Sequence, residues 1–323
     1  MLTLSHSDQL DEILGLTIAE LDIPDDLNEL AVSRYSHLGY WFEERWSSSP
    51  TSGLIHPQGS FLLGTVVQPV KAGAHYDIDL VCVRDYDKDA IRKAFLKDEV
   101  GGEMRAYIQT RPAGTPRLSE GKRCWTLAYA GEPFHMDVLP AIPNVSAKPH
   151  GIWITDTQLA RWQSSNPRGF GEWFRSRMRT EFDAVRGAIS KQMDIEDVPD
   201  WKIKTTLQRA VQALKRHRDL FFPDPANRPA SIIITTLAAR AYQGDGGLYE
   251  VLLEVSGRMP TLVETRDGEY RIENPVNQDE NFADRWVGHP TRADNFFRWI
   301  EHAHADFTAI GAEAGTDAIV GSL

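Results

Sequence analysis

Three aspartates occupy strand-like positions in the first half of this 323-residue chain. Asp77 and Asp79 alternate with apolar residues in YDIDLVCV, and Asp137 takes the same kind of position in FHMDVLPAI. Side chains two residues apart on a strand point to one face, with α-carbons about 6–7 Å apart. Carboxylates held this closely repel each other and resist burial. We therefore expect either a face open to water or a bound divalent cation, since Mg²⁺ prefers oxygen ligands of this kind.

A Gly-Ser pair stands ahead of the first of these strands. Gly59-Ser60, within QGSFLLGTVV, predicts a turn that opens a short helix. Backbone N–H groups and a hydroxyl at such a turn face phosphate readily. Neither motif is specific alone, because an isolated Asp-x-Asp also fits a half-solvated strand and a second Gly-Ser pair occurs at Gly321-Ser322. Their order and spacing, with Asp137 on a later strand, favour a metal site beside a phosphate-binding turn.

The charge of the chain is acidic overall but unevenly distributed. A net charge of −11 argues against strong binding to duplex DNA or to acidic lipid. Basic residues nevertheless outnumber acids in two segments, Trp201–Asp219 and Arg161–Arg179. This local excess indicates a confined anionic ligand. The alternative is that both segments are solvated helix faces whose cations pair with the surplus acids.

The elements that must position these residues follow from the spacing of apolar residues. A hairpin strand carrying Asp137 would bring that carboxylate to the face of Asp77 and Asp79 if the two strands are neighbours. The predicted strands cover 54–56, 76–84, 124–129 and 134–139, and short helices are predicted over 61–67 and 87–98.

Helical spacing dominates the rest of the chain. It spans 7–45, with a break near Pro24 and Asp22 and Asp25 as candidate caps. Later helices are predicted over 156–165, 169–191, 201–222, 229–243, 247–257 and 291–308. We therefore expect an α+β chain in which 1–150 form a small mixed sheet with helices, 151–310 form a helical lobe, and 311–323 form a flexible tail.

The termini and the cysteines point to a cytoplasmic protein. The N-terminus lacks the basic region of a signal peptide, and no apolar run approaches the length of a membrane span. Cys82 and Cys124 have no metal-ligand spacing and are expected to be small buried residues.

Taken together, these motifs resemble a known family. The Gly-Ser turn, the Asp-x-Asp strand and the later strand aspartate resemble the polymerase-β-like nucleotidyltransferases. More narrowly, QGSFLLGTVV, YDIDLVCV and FHMDVLPAI resemble the CD-NTases, bacterial relatives of cyclic GMP-AMP synthase in CBASS anti-phage systems. LQRAVQALKRHRD, SIIITTLAARAY and ENPVNQDENFADRW extend this similarity into the helical half. The resemblance implies a polymerase-β-like core packed on a helical lobe.

The resemblance also implies roles for particular residues. Asp77, Asp79 and Asp137 would be catalytic and would hold two Mg²⁺ ions, for which Mn²⁺ can substitute. The nucleotide triphosphate would contact Gly59, Ser60, Lys215 and Ser231. Lys215 lies at the edge of an apolar helical stripe, on the face of Lys204 and Gln208, where it can enter a cleft; the alternative is a solvated lysine. The alternative for Ser231 is a helix cap.

The implied activity is synthesis of a cyclic di- or trinucleotide second messenger from NTPs, ATP among them, with release of pyrophosphate. The implied partners are a CBASS effector that receives the product and regulatory CBASS proteins. Two alternatives stay open: a transferase making linear oligonucleotides, tailing RNA or adenylylating proteins, and an inactive module that binds nucleotides or RNA. The sequence leaves the bases, the linkage and the ring size undetermined.

Overall fold

The computed structural model describes residues 5–46, 55–71, 73–111, 116–155, 161–193 and 198–312. A seven-stranded mixed sheet forms the centre of the first half. Its strands are β1 (Ile55–Pro57), β2 (Tyr76–Val83), β3 (Arg117–Glu120), β4 (Trp125–Ala128), β5 (Phe134–Pro143), β6 (Ile152–Ile154) and β7 (Gln163–Ser165). The main order is β1-β2-β5-β4-β3, and β6 pairs with both β5 and β7. Only β2 and β5 run parallel; the other pairs are antiparallel.

Period-two alternation decides which side chains enter the core below this sheet. Ile78 and Leu80 on β2, with Met136 and Val138 on β5, are almost completely buried. The helices of the first half are α1 (His6–Ala19), α2 (Asp25–Arg45), α3 (Gly59–Leu63) and α4 (Lys93–Gln109). The buried strand residues pack in one apolar cluster with residues of α2 and α4. The aspartates alternate with these apolar residues and therefore lie on the opposite face.

A second apolar cluster holds the helical half together. It contains buried residues of α1 and of the later helices α5 (Pro167–Arg177), α6 (Arg179–Met193), α7 (Thr206–Phe221), α8 (Ser231–Ala241), α9 (Leu248–Arg258) and α10 (Thr291–Ala312). α7 begins with a capping box in which the Thr205 and Gln208 side chains each bond the other's backbone N–H. In its apolar stripe, Leu207 and Leu214 are completely buried, and Phe221 at the end of the helix packs partly buried against the same cluster. The predicted stripe is thus confirmed.

Two short hairpins, β8 (Glu264–Arg266) with β9 (Glu269–Arg271) and β10 (Glu273–Asn274) with β11 (Asn277–Asn281), follow α9. The second hairpin contains the first half of the ENPVNQDENFADRW segment and joins the helical half to the sheet. Buried Asn277 donates to the Ser164 hydroxyl, at 3.0 Å, and the Glu280 carboxylate accepts from Ser165 and Asn274. Burial raises the pKa of Glu280, which these donors partly offset.

Several predicted elements differ from the observed ones. Residues 163–165 form strand β7 rather than helix, and 156–160 lie outside the described residues. The strand at 163–165 is recruited by pairing with β6, a long-range contact that local apolar spacing does not encode. The helix predicted over 87–98 begins later, at Lys93, because the Asp87 side chain accepts from the backbone N–H of Asp89 in a turn.

The predicted cap of α2 was wrong. Pro24 is the N-cap residue and no side chain caps this helix. The Asp22 carboxylate instead pairs with Lys204 and Arg209. At the other end of the chain, α10 continues to Ala312, so the start of the predicted tail is helical, whereas 313–323 lie outside the described residues. Over the part of the chain that the structure describes, no helix has the length and apolar character needed to cross a bilayer.

Candidate active site

The three aspartates converge on the open face of the sheet. The parallel register of β2 and β5 places Asp79 directly beside Asp137, and Asp77 beside His135. Burial, followed by the charges of Asp77 and Asp137, raises the pKa of Asp79 to about 6. Removal of Asp79 from water is the larger cause of this shift, and the crowding of the three carboxylates is the second. The strands of Asp79 and Asp137 are therefore neighbours, as the predicted convergence of the three aspartates requires.

His135 is a hydrogen-bonding partner of Asp77 on the same face. Its Nε2 lies 2.8 Å from Asp77 Oδ1, and this hydrogen bond raises the pKa of the imidazole. The Asp77 side chain remains 68% exposed. Within the described ranges, no three His, Cys, Asp or Glu side chains are arranged as a ready-made metal cluster. The donor set nevertheless suits Mg²⁺, because it consists of mutually repelling carboxylates on one face.

Asp137 is held from the side away from Asp79. Thr126 stands opposite it on β4, and the threonine hydroxyl donates to Asp137 Oδ1 at 2.5 Å. The Cys124 thiol also neighbours this carboxylate. Burial, and then the charge of Asp137, raises the pKa of Cys124 to about 12, so this cysteine remains a protonated thiol at neutral pH.

The Gly-Ser turn is fitted against Asp79. Gly59 has φ +59°, and a Cβ atom there would lie 2.5 Å from Asp79 Oδ2. The backbone N–H of Gln58 donates to the Asp79 carbonyl at 2.8 Å. Glycine is therefore required both by its left-handed conformation and by the close approach of the carboxylate. Ser60 follows in α3, and its carbonyl accepts from the Thr65 N–H at 3.0 Å.

Side chains of α7, together with Lys204 just before this helix, donate to the backbone of the segment that follows the turn. Each donor meets a different backbone carbonyl between Leu63 and Gln68. The donor–acceptor pairs are Gln208 with Leu63, Lys204 with Gly64, Lys215 with Thr65, Gln212 with Val66, and Arg216 with Gln68. We call this set the α7 ladder. These hydrogen bonds hold the helical half against residues 63–68, which follow the Gly59-Ser60 turn.

Lys215 is the most deeply buried cation of the α7 ladder. Its ammonium donates to the carbonyl and the hydroxyl of Thr65, at 2.9 and 3.0 Å, and its side chain is 3% exposed. Burial, assisted by nearby Arg218, lowers the pKa of Lys215 to about 7. The expectation of an open position in a cleft is therefore wrong for this conformation, and the alternative of a solvated lysine is wrong as well.

Ser231 is the first residue of α8 and is exposed. Ala230 is the N-cap residue, so the alternative interpretation of Ser231 as a cap is wrong. The Ser231 hydroxyl accepts from buried Arg218 at 2.8 Å, which leaves its own proton free to be donated. Arg218 also pairs with Asp219. Asp79 and Arg218 both lie near enough to Lys215 for their charges to affect its pKa, although burial has the larger effect.

Several of these residues were missed by sequence reasoning. Thr126 lies in a strand that was already predicted to form a hairpin with the strand of Asp137. The alternation of inward and outward side chains along that hairpin was the signal that could have placed it beside Asp137. Arg218 lies within the basic segment but gave no positional signal. A cavity of about 320 Å³ elsewhere, lined by Tyr35 and Trp201 among others, contains none of the predicted site residues.

Comparison with known proteins gives a consistent result. Residues 43–177 match the model of the Second Messenger Oligonucleotide or Dinucleotide Synthetase domain. A c-di-GMP synthase from Roseivirga ehrenbergii is 30% identical over 291 residues, which cover 86% of this chain and 75% of that protein. The cyclic dinucleotide synthase CdnG from Bradyrhizobium diazoefficiens is 26% identical over 306 residues, covering 87% of this chain and 71% of that protein.

A solved structure agrees with these sequence matches. The CD-NTase CdnG of Bradyrhizobium diazoefficiens, in complex with GTP, superposes with a TM-score of 0.75 at 23% identity. The match covers 97% of this chain and 98% of the other. The predicted fold, a polymerase-β-like core with a small mixed sheet packed on a helical lobe, is confirmed.

Proposed function

This chain belongs to the CD-NTase family of second messenger oligonucleotide or dinucleotide synthetases, and we propose that it joins two GTP molecules into cyclic di-GMP. Family membership makes it a nucleotidyltransferase that synthesises a cyclic dinucleotide. The observation that carries the site assignment is the register of β2 and β5, which sets Asp79 beside Asp137 with Asp77 on the same face. The choice of GTP is supported by the c-di-GMP synthase relative.

Asp77, Asp79 and Asp137 would hold the Mg²⁺ ions that the family implies. When bound, such ions neutralise triphosphate charge and activate the attacking hydroxyl. The raised pKa of Asp79 supports this assignment, because a bound cation would offset both the burial and the neighbouring negative charges that raise it. Mn²⁺ has the same preference for oxygen ligands and is expected to substitute.

The chain's own groups orient the reaction. Asp137 accepts the proton of the attacking ribose hydroxyl, whose oxygen forms a bond to the α-phosphorus of the second GTP. The bond from that phosphorus to the β-phosphate bridging oxygen breaks, and pyrophosphate leaves in line. Gly59 and Ser60 meet the triphosphate through backbone N–H groups and a hydroxyl. Ser231 donates its free proton, and Lys215 supplies positive charge after exchanging Thr65 for phosphate.

A second attack of the same kind within the linear intermediate closes the ring. It uses the remaining hydroxyl and the remaining triphosphate, so no second active site is needed. The sequence-based expectation of ATP among the substrates becomes the competing case in the test, together with a trinucleotide ring and linear products.

The test is an incubation of the purified chain with all four NTPs and Mg²⁺, followed by mass spectrometry. We expect a dominant phosphatase-resistant product with the mass of cyclic di-GMP, formed about 10²–10⁴-fold more slowly by Asp137→Asn. A product containing adenine would overturn the choice of GTP. A phosphatase-sensitive product that lengthens with time would identify a linear polymerase, and absence of any product would favour the inactive binding module.

The family also suggests a setting for this activity. We propose a cytoplasmic role in CBASS anti-phage signalling, with an effector protein that binds the cyclic product and regulatory CBASS proteins that control synthesis. Deletion of the gene in its native host, followed by phage challenge, tests this role. Equal phage sensitivity of the deletion strain would contradict it.

A further inference from the structure

The carboxylate of Asp137 is flanked by two different neighbours across the sheet. β5 runs between β2 and β4, so the position of Asp137 faces Asp79 on one side and Thr126 on the other. All three side chains share one face because they are directly paired positions of adjacent strands. Asp79 presents a carboxylate and repels Asp137, whereas Thr126 presents a hydroxyl that donates to Asp137 Oδ1 at 2.5 Å.

This hydroxyl restricts how the Asp137 carboxylate can turn. The terminal torsion of an aspartate is broad and roughly two-fold, so a free carboxylate samples many orientations. A hydroxyl bonded to a carboxylate at 2.5–2.7 Å is a strong, charge-assisted hydrogen bond. With Oδ1 engaged by Thr126, rotation about this torsion is restrained and Oδ2 keeps a defined direction.

Threonine at this position is not explained by the strand alone. Valine has the same shape and an equally high preference for strands, so backbone pairing of β4 with β5 does not require a hydroxyl. The Cys124 thiol is a further neighbour of the same carboxylate, but a thiol is a weak donor. The hydroxyl of Thr126 is therefore the group that fixes Asp137.

We propose that Thr126 is a positioning residue that holds Asp137 so that its second oxygen faces the attacking ribose hydroxyl. This inference rests on the proposed function, in which Asp137 accepts the hydroxyl proton. It adds a residue on a strand that carries none of the three aspartates. The expected consequence is that the hydroxyl matters for turnover and not for nucleotide affinity.

The experiment compares Thr126→Val, which keeps shape and removes the hydroxyl, with Thr126→Ser, which keeps the hydroxyl. Thr265→Val, on the separate strand β8, is the matched control for the same replacement in a strand. Steady-state pyrophosphate release gives kcat and KM for GTP. Titration with a non-hydrolysable GTP analogue and thermal melting report affinity and stability independently of turnover.

We expect Thr126→Val to lower kcat by about 10–100-fold, the usual cost of removing a residue that orients a ligand-bearing group. KM, analogue affinity and melting temperature should stay at the values of Thr265→Val. Thr126→Ser should recover kcat to within about threefold of the wild type, since its hydroxyl reaches the same oxygen.

The outcomes separate the inference from the function on which it rests. If Asp137→Asn turns over at the wild-type rate, the proposed role of Asp137 fails. If Asp137→Asn is inactive while Thr126→Val keeps the wild-type kcat, the positioning role fails and the proposed function stands. Equal losses of kcat in Thr126→Val and Thr126→Ser, accompanied by lower melting temperatures, would also overturn positioning and assign Thr126 to strand packing.

Discussion

The carboxylate face of the sheet lies against the Gly-Ser turn, the α7 ladder binds the segment that follows it, and their polar groups are in opposite states. Burial, and then the negative charges of Asp77 and Asp137, disfavours the ionised form of Asp79. The cations and amides of the α7 ladder are instead satisfied by backbone carbonyls of 63–68. The negative charges of the carboxylate face thus disfavour one another, whereas the polar groups of the α7 ladder already have hydrogen-bond partners.

This difference predicts different responses to binding. A cation added to the carboxylate face removes an unfavourable interaction, so it stabilises the protein directly. A phosphate that reaches Lys215 must first replace the Thr65 oxygens that this ammonium contacts. A cation at the carboxylates would therefore add a favourable interaction, whereas a phosphate at Lys215 would have to displace one.

The largest expected effect comes from neutralising the carboxylate face. Asp77→Asn and Asp79→Asn should each abolish measurable turnover, and Asp137→Asn should lower kcat by about 10²–10⁴-fold, the usual contribution of a general base. Analogue binding should survive in Asp137→Asn. Pyrophosphate release at saturating Mg²⁺ is the measurement, and a wild-type rate in Asp77→Asn or Asp79→Asn would refute the metal assignment.

Gly59→Ala probes the contact between the turn and Asp79. The new Cβ would lie 2.5 Å from Asp79 Oδ2, so the carboxylate must move, and we expect kcat to fall by about 10–100-fold. Alanine at positive φ also costs about 1–2 kcal/mol of stability. Gly268→Ala is the matched control: its φ is +78° and no atom lies within 4 Å of the added Cβ. An equal loss of rate in both variants would contradict displacement of Asp79.

Lys215→Ala tests whether the buried ammonium reaches phosphate. If it does, KM for GTP should rise about tenfold, as expected for loss of one charged hydrogen bond. Lys204→Ala is the matched control because Lys204 donates to the neighbouring carbonyl of Gly64. Similar KM values in both variants, with lower melting temperatures, would restrict Lys215 to anchoring the loop.

Proton uptake sharpens the same question. Burial lowers the pKa of Lys215 to about 7, so much of this amine is neutral at pH 8. Contact with phosphate favours the charged form and raises the pKa, so analogue binding at pH 8 should take up a proton at Lys215. Calorimetry in buffers of different ionisation enthalpy measures this uptake. The wild type and Lys215→Gln should differ by a fraction of a proton, and identical values would exclude phosphate contact.

The smallest expected effect is on the stability of the metal-free protein. Because the pKa of Asp79 is raised to about 6, the folded state keeps this proton more tightly than the unfolded state. Stability is therefore lost as the pH rises from about 4 through 6. Asp79→Asn should gain about 1–2 kcal/mol at pH 7.5 without Mg²⁺ and nothing at pH 4. Thermal melting checks this, and a variant less stable than the wild type at pH 7.5 would contradict it.

Local pattern was sufficient for the strands that carry the aspartates. Period-two alternation placed Asp77 and Asp79 on one face, and the hairpin of β4 with β5 was predicted with small errors at its ends. It failed at β7, whose strand forms only because β6 is available to pair. It also misplaced Asp22, which caps nothing and receives Lys204 and Arg209 from the helical half.

Residue types and period-two spacing were enough to assign three carboxylates to strand faces and a glycine to the turn before them. The placement of these groups relative to one another could be read only from the folded chain. The parallel pairing of β2 with β5 set Asp79 beside Asp137, and the packing of α7 turned Lys215 toward Thr65 instead of open solvent. Both depend on contacts between residues far apart in the chain, whose free energy is gained through burial and register rather than through local spacing.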